Sequence, residues 1–249
     1  MEATPPARTG IAPGGVVGET FSIYRDNALP LLGASAVVFV VVGLVSGLLR
    51  DEGVLGALLA TVVSLVGYAL FTGFVVRLVQ DVRDGRRDQT IGDLFSSATP
   101  AIGPLIGFGI LFGIAVGIGF VLLIVPGLFL LTIWCLGAPS IVAERRGVLE
   151  AFGRSRELVR GEGWSVFGAL VLVLLIVIGI GIVLGILATP IGDGETSTVI
   201  ASIISNIITA PIFAIAVSAM FFDLGGGAVP APGASPDPSP PPPAAPGAP

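Results

Sequence analysis

Acid–base, nucleophilic and metal chemistry rest on a few side chains, and this sequence holds few of them. It has no histidine and one cysteine, Cys135, which removes His-based proton transfer, histidine-dependent serine triads and the commonest zinc ligand. Lysine is absent too, so no glycine-rich phosphate loop ending in lysine can form. The carboxylates gather in arginine-rich stretches, where salt bridges and helix-end charges account for them. The densest stretch holds Glu144, Glu150, Arg154, Arg156, Glu157 and Arg160. No catalytic residue, cofactor or metal site is expected, and an enzyme is not.

The elements that would position these residues are apolar. Of 249 residues, 53% are hydrophobic and 12% charged, against roughly a quarter charged in soluble proteins. Mean hydropathy is +0.98. Six runs without a formal charge cover about residues 29–49, 54–76, 101–125, 127–143, 165–188 and 199–222. Helices of about 20 residues cross a hydrocarbon core of about 30 Å, so the pattern predicts an all-α integral membrane protein with six transmembrane helices. The first run lies far from the N-terminus without a basic region before it or a small-residue cleavage site, and reads as a retained span. The third and fourth runs adjoin at Pro126-Gly127, and a turn there would close a hairpin; a turn nearer Gly117 to Gly119, with Pro126 as a kink, is the alternative.

Basic residues fix an expected orientation. Arg8 and Arg25 precede the first span, Arg77, Arg83, Arg86 and Arg87 lie between the second and third, and Arg145, Arg146, Arg154, Arg156 and Arg160 between the fourth and fifth. On the other side stands Arg50 alone. The positive-inside rule places both termini in the cytoplasm of a cell membrane.

An acid stands two residues before a phenylalanine in Gly18-Glu19-Thr20-Phe21, Gly92-Asp93-Leu94-Phe95 and Leu149-Glu150-Ala151-Phe152, each ahead of a pair of spans. The third lies in an amphipathic segment: Val148, Ala151, Phe152, Ser155, Leu158 and Val159 share one helical face, with the charges opposite. The expected architecture is three hairpins, each preceded by a short cytoplasmic interfacial helix with its apolar face in the headgroup region and its arginines toward phosphates and water. Internal duplication would produce this pattern, and so would the general preference of juxtamembrane helices for an acid near the N-terminus.

Small residues recur at helical spacing: Gly43 and Gly47; Gly109, Gly113 and Gly117; Gly181 and Gly185; Ala210, Ala214 and Ser218. They predict close packing within one bundle, though a homodimer seam would look the same. Trp164 belongs to an interfacial aromatic belt. Cys135 reads as a small buried hydrophobe. Asn206, with Thr209 and Pro211 nearby, could cap a backbone break, line a cavity or make an interhelical hydrogen bond. The membrane domain is bounded at 16–223; residues 1–15 and 224–249, rich in Pro, Ala and Gly, read as disordered tails.

One segment carries a family resemblance. Pro126 and Gly127 at a span start, then Pro139, Glu144, Ala151, Ser155, Leu158 and Gly161, with Arg154 and Arg156 between, form a pattern that resembles the membrane domain of the glycerophosphoryl diester phosphodiesterase family. In the fused enzymes the phosphodiesterase is a separate histidine-bearing domain, so the resemblance implies a stand-alone membrane module and carries no catalytic residue over. The resulting expectation is a bacterial plasma-membrane scaffold whose partners are membrane lipids and a second copy or another protein, not nucleic acid. The alternative is a carrier or lipid-handling protein for a neutral or amphiphilic solute, which requires Ser64, Tyr68, Thr132 and Asn206 to line a shared cavity.

Overall fold

The computed structural model describes residues 11–49, 51–85, 91–188 and 195–227, and all regular structure among them is helical. Six helical stretches are long and apolar enough to cross a membrane, the fourth of them, Ile124–Glu144, made of two successive helices. In chain order the helices are α1 (Pro13–Asp26), α2 (Ala28–Leu48), α3 (Gly53–Arg83), α4 (Ile91–Ala98), α5 (Ile102–Leu122), α6 (Ile124–Trp134), α7 (Gly137–Glu144), α8 (Val148–Val159), α9 (Gly163–Ala188) and α10 (Glu195–Asp223). Most of both expected tails, together with Arg8, Arg50, Arg86 and Arg87, lies outside the described residues. Pro13 to Gly15 are helical, so α1 starts ahead of the boundary expected at residue 16.

Consecutive long helices pack on each other, α2 on α3, α5 on α6 and α9 on α10. The centre belongs to α3 and α10, which touch one another; α3 also meets α2, α4, α5 and α7, and α10 meets α1, α2, α7 and α9. α3 has 31 residues, about 46 Å. Its apolar run ends at Val76, but the helix continues to Arg83, because a charge does not break a helix that tertiary contacts hold. Three apolar clusters fill the bundle, and Phe222 packs against all of them.

Several expectations are corrected here. The turn between α5 and α6 is not at Pro126-Gly127: the chain extends at Leu123 (φ −166°, ψ 151°), and Pro126 lies in the first turn of α6. A proline there gives up an N–H that has no helical partner in any case. Gly127 instead lets two backbones meet. A Cβ on Gly119 would lie 2.9 Å from the Gly127 Cα, and one on Gly127 would lie 2.6 Å from the Phe120 ring. The run expected as one span over 127–143 is divided into α6 and α7 by Cys135 and Leu136.

The small-residue reading holds only in places. Gly109, Gly113, Gly117, Gly181, Gly185 and Gly47 face open space, with no atom near an added Cβ, whereas Gly43 abuts Ile203. Spacing marks a smooth helix face without saying which face meets a neighbour.

The short helices also differ from expectation. The apolar face of α8 is turned into the protein, not toward lipid: Ala151, Ser155, Leu158 and Val159 are buried, and Phe152 packs on Phe108 and Trp134. In all three acid–x–Phe segments the middle residue is buried, Thr20, Leu94 and Ala151. The acids have separate uses: Glu19 pairs with Arg83 at 2.6 Å, and Glu150 accepts from the Gly147 N–H at 3.2 Å.

Candidate functional site: a broken helix beside a central cavity

Breaking a helix inside an apolar bundle strands backbone groups, each costly to leave unpaired. In an unbroken helix Leu136 N–H would bond Thr132 C=O, and Gly137 N–H would bond Ile133 C=O. Here the Ser155 hydroxyl accepts from Leu136 N–H at 3.1 Å and donates to Ile133 C=O at 2.8 Å. The Cys135 thiol donates to Thr132 C=O at 3.2 Å. Pro139 occupies the first turn of α7, where its missing N–H is tolerated. Ser155 is completely buried, and one hydroxyl on α8 thus serves both ends of the gap.

A second proline is met in the same way. Pro211 lies inside α10, and its absent N–H would leave Ile207 C=O without a partner. The buried Ser35 hydroxyl of α2 donates to that oxygen at 3.0 Å. Tyr24 donates to the adjoining Ile208 C=O at 3.3 Å, and burial pushes its phenol pKa up, which keeps the donor protonated. In the sequence, capping was one of three roles open to Asn206, beside lining a cavity or bonding a neighbouring helix; serines within apolar runs give no local signal of it.

The remaining signature residues build a clasp around the break. Glu144 ends α7, and both its oxygens accept from the Arg154 Nε at 3.0–3.1 Å, with Arg154 Nη2 adding a bond at 3.0 Å. Arg146 Nε donates to it at 2.7 Å, a bond that holds the Arg146 pKa above its ordinary value. The Gly227 N–H donates from beyond α10 at 3.1 Å. Arg154 thus faces Glu144 instead of a lipid phosphate, while Arg156 is exposed. Leu158 is buried, and Gly161 takes a φ of +95°, which favours glycine.

The break borders an open-sided cavity of about 430 Å³ between α3, α5, α6, α7, α9 and α10. Cys135, Ala138 and Pro139 line one wall; Thr72, Thr209 and Ser218 are among the few polar groups on the others. A second cavity of about 400 Å³ between α2, α3 and α10 is more polar, lined by Ser46, Ser64 and Ser202. Tyr68 and Asn206 border both. The Tyr68 hydroxyl donates to Asn206 Oδ1 at 3.4 Å, a long bond, and Asn206 Nδ2 donates to Ser202 C=O at 2.9 Å. Of the four polar residues named for a shared cavity, Ser64, Tyr68 and Asn206 converge. Thr132 does not; it is buried and donates to Leu128 C=O at 2.8 Å. No cluster of three metal-ligating side chains occurs among the described residues.

An all-helical chain with six membrane-length helices, one interrupted beside a cavity, is a multi-pass membrane protein. Residues 54–215 match the model of the uncharacterised protein family UPF0259, and the chain belongs to that family. A UPF0259 membrane protein from Pectobacterium carotovorum subsp. carotovorum (strain PC1) is 32% identical over 150 residues, 60% of this chain and 59% of that relative. The match therefore spans about three fifths of the relative's length. No solved structure matches. The resemblance to a glycerophosphoryl diester phosphodiesterase membrane domain is overturned: the family match and the relative both point to UPF0259. The eight motif positions on which it rested have structural roles around the break, the α5–α6 approach and the ends of α8.

Proposed function

We propose that this chain is a bacterial plasma-membrane protein whose central cavity takes a neutral or amphiphilic solute. The observation that carries the reading is the interrupted helix lining that cavity. Non-helical backbone at membrane depth is sustained where it is buried in protein or borders a cavity, and here Cys135 at the break borders one. The cavity volume of about 430 Å³ falls in the usual range for small-molecule sites, roughly 300–1,000 Å³. Its mostly apolar wall, with hydroxyls and the Asn206 amide at one side, suits a chain-like ligand with a hydrogen-bonding group. A scaffold that meets another protein or a second copy remains the competing reading, and the open faces of Gly109, Gly113 and Gly117 are what favours it.

The test is co-purification from native membrane followed by identification of bound lipids. Ala210→Phe, which projects a ring into the cavity, should lower the retained ligand about tenfold, equivalent to ~1.4 kcal/mol, with helix content unchanged. Equal retention by the folded variant sinks the reading.

The proposed setting has both termini in the cytoplasm, three hairpins, and α1, α4 and α8 at the cytoplasmic surface. The described arginines of α1, α3 and α8 support that orientation. After Cys135 is replaced by serine, single cysteines placed at 50–53 or 190–196 should react with an impermeant thiol reagent on intact cells. Protection of both positions reverses the topology.

A further inference from the structure

The two cavities share Tyr68 and Asn206, and their linings follow one another along the same pair of helices. On α3 the polar cavity takes Ser64 and Tyr68, while the central one takes positions from Leu65 to Val76. On α10 the division is Ser202 to Asn206 against Asn206 to Ser218. The rise from Ser202 to Ser218 is about 24 Å, most of a hydrocarbon core of about 30 Å. One elongated ligand can therefore occupy both cavities.

α3 and α10 touch one another, and each carries a polar row at helical spacing: Ser64, Tyr68 and Thr72 on α3, and Ser202, Asn206 and Thr209 on α10. Some of these hydroxyls are spent on their own backbone, Ser64 on Ala60 C=O at 2.8 Å and Thr209 on Ser205 C=O at 2.7 Å. Ser46 and Thr72 are not. Their hydroxyls border the polar and the central cavity respectively, and neither makes a hydrogen bond among the described residues. The Tyr68–Asn206 bond at the junction is 3.4 Å long, weak enough to be exchanged for bonds to a ligand. The Asn206 amide offers an acceptor as well as donors.

No charged residue lines either cavity among the described residues. An ionised headgroup there would lose water without gaining a counter-charge, which is costly at membrane depth. A hydroxylated headgroup exchanges its water for hydroxyl and amide partners instead.

We infer that the polar cavity between α2, α3 and α10 binds the uncharged, hydroxyl-bearing headgroup of a lipid whose hydrocarbon chain passes Tyr68 and Asn206 into the central cavity. This inference rests on the cavity reading above and adds to it a second site and the chemistry of the headgroup. Ser46, Tyr68 and Asn206 bond the headgroup hydroxyls. The apolar walls of the central cavity take the chain.

The experiment uses the full chain in nanodiscs of phosphatidylcholine, titrated with monoolein, with methyl oleate, which has the same chain and no hydroxyl, and with oleate, which is charged, and read by native mass spectrometry. Monoolein should bind about tenfold more tightly than either of the others. Ser46→Ala and Tyr68→Phe should each weaken monoolein about threefold and leave methyl oleate unchanged. Should Tyr68→Phe fail to fold, Ser46→Ala carries the test, since Ser46 lines the polar cavity and not the central one. Ala210→Phe, by contrast, should weaken monoolein and methyl oleate alike. Equal binding of monoolein and methyl oleate overturns the headgroup site but spares the cavity reading; failure of both to bind overturns the cavity reading itself. Oleate that binds as tightly as monoolein overturns the uncharged headgroup. A preference for monoolein that survives both Ser46→Ala and Tyr68→Phe overturns the assignment to the polar cavity.

Discussion

Ser155→Val should lower the stability of the protein by about 2–4 kcal/mol, because it strands Leu136 N–H and Ile133 C=O together at a cost of ~1–3 kcal/mol each. The valine has the bulk to keep water out of the vacated space. In micelles this should appear as a melting midpoint lower by roughly 5–15 °C in circular dichroism. Ser155→Thr, which keeps the hydroxyl, should recover much of the loss. Faster reaction of Cys135 with a thiol reagent should accompany Ser155→Val, since Cys135 borders the same gap. A valine variant with the wild-type midpoint would mean that the break needs no support from α8.

Glu144→Ala should be the next most damaging change. It removes the acceptor for Arg154, Arg146 and the Gly227 N–H together. Arg154 is mostly buried and would keep only Glu157, 3.7 Å away. Breaking a buried ion pair costs about 3–5 kcal/mol; partial exposure of the Arg154 and Glu144 side chains, 21% and 11%, reduces the expectation to ~2–4 kcal/mol. A second readout separates the clasp from general destabilisation. The described stretch Leu224 to Gly227 should become more sensitive to limited proteolysis well below the melting temperature, and Glu144→Gln, which retains one acceptor oxygen, should fall between. Unchanged cleavage near residue 227 would show that the Gly227 contact does not hold the chain.

What could be read in the sequence was set by local chemistry. Run length gives six membrane-length helices because a helix must be about 20 residues long to cross the hydrocarbon. Arginine placement gives the expected orientation. The α6–α7 break could not be read, because Pro139 and Pro126 both occupy first helical turns, and an apolar run reads as continuous through such positions. Its support comes from Ser155, distant in sequence. Ser35 was missed for the same reason: a serine in an apolar run looks like a small packing residue until the carbonyl stranded by Pro211 is placed opposite. Arg77 was taken as lying beyond a span, since a charge ends an apolar run but not a helix. The amphipathic pattern of α8 was read correctly as two faces, yet a face that meets lipid and one that meets protein have the same composition. Asn206 was recognised as the notable polar residue of its helix, and it does border both cavities.

The tie at Arg83 has a mechanical meaning. Its guanidinium holds Glu19 of α1, Ala219 C=O and Asp223 of α10, and lies 5.7 Å from the Phe222 ring, which itself leans on all three apolar clusters. Every ion pair among the described residues belongs to this end of the bundle. At the opposite end Leu48, Val54, Val121 and Leu187 are exposed apolar side chains without such ties. Among the described residues the ion-pair ties are thus gathered at one end of the bundle, like the rivet of a pair of tongs, and the helix tips at the other end carry exposed apolar side chains.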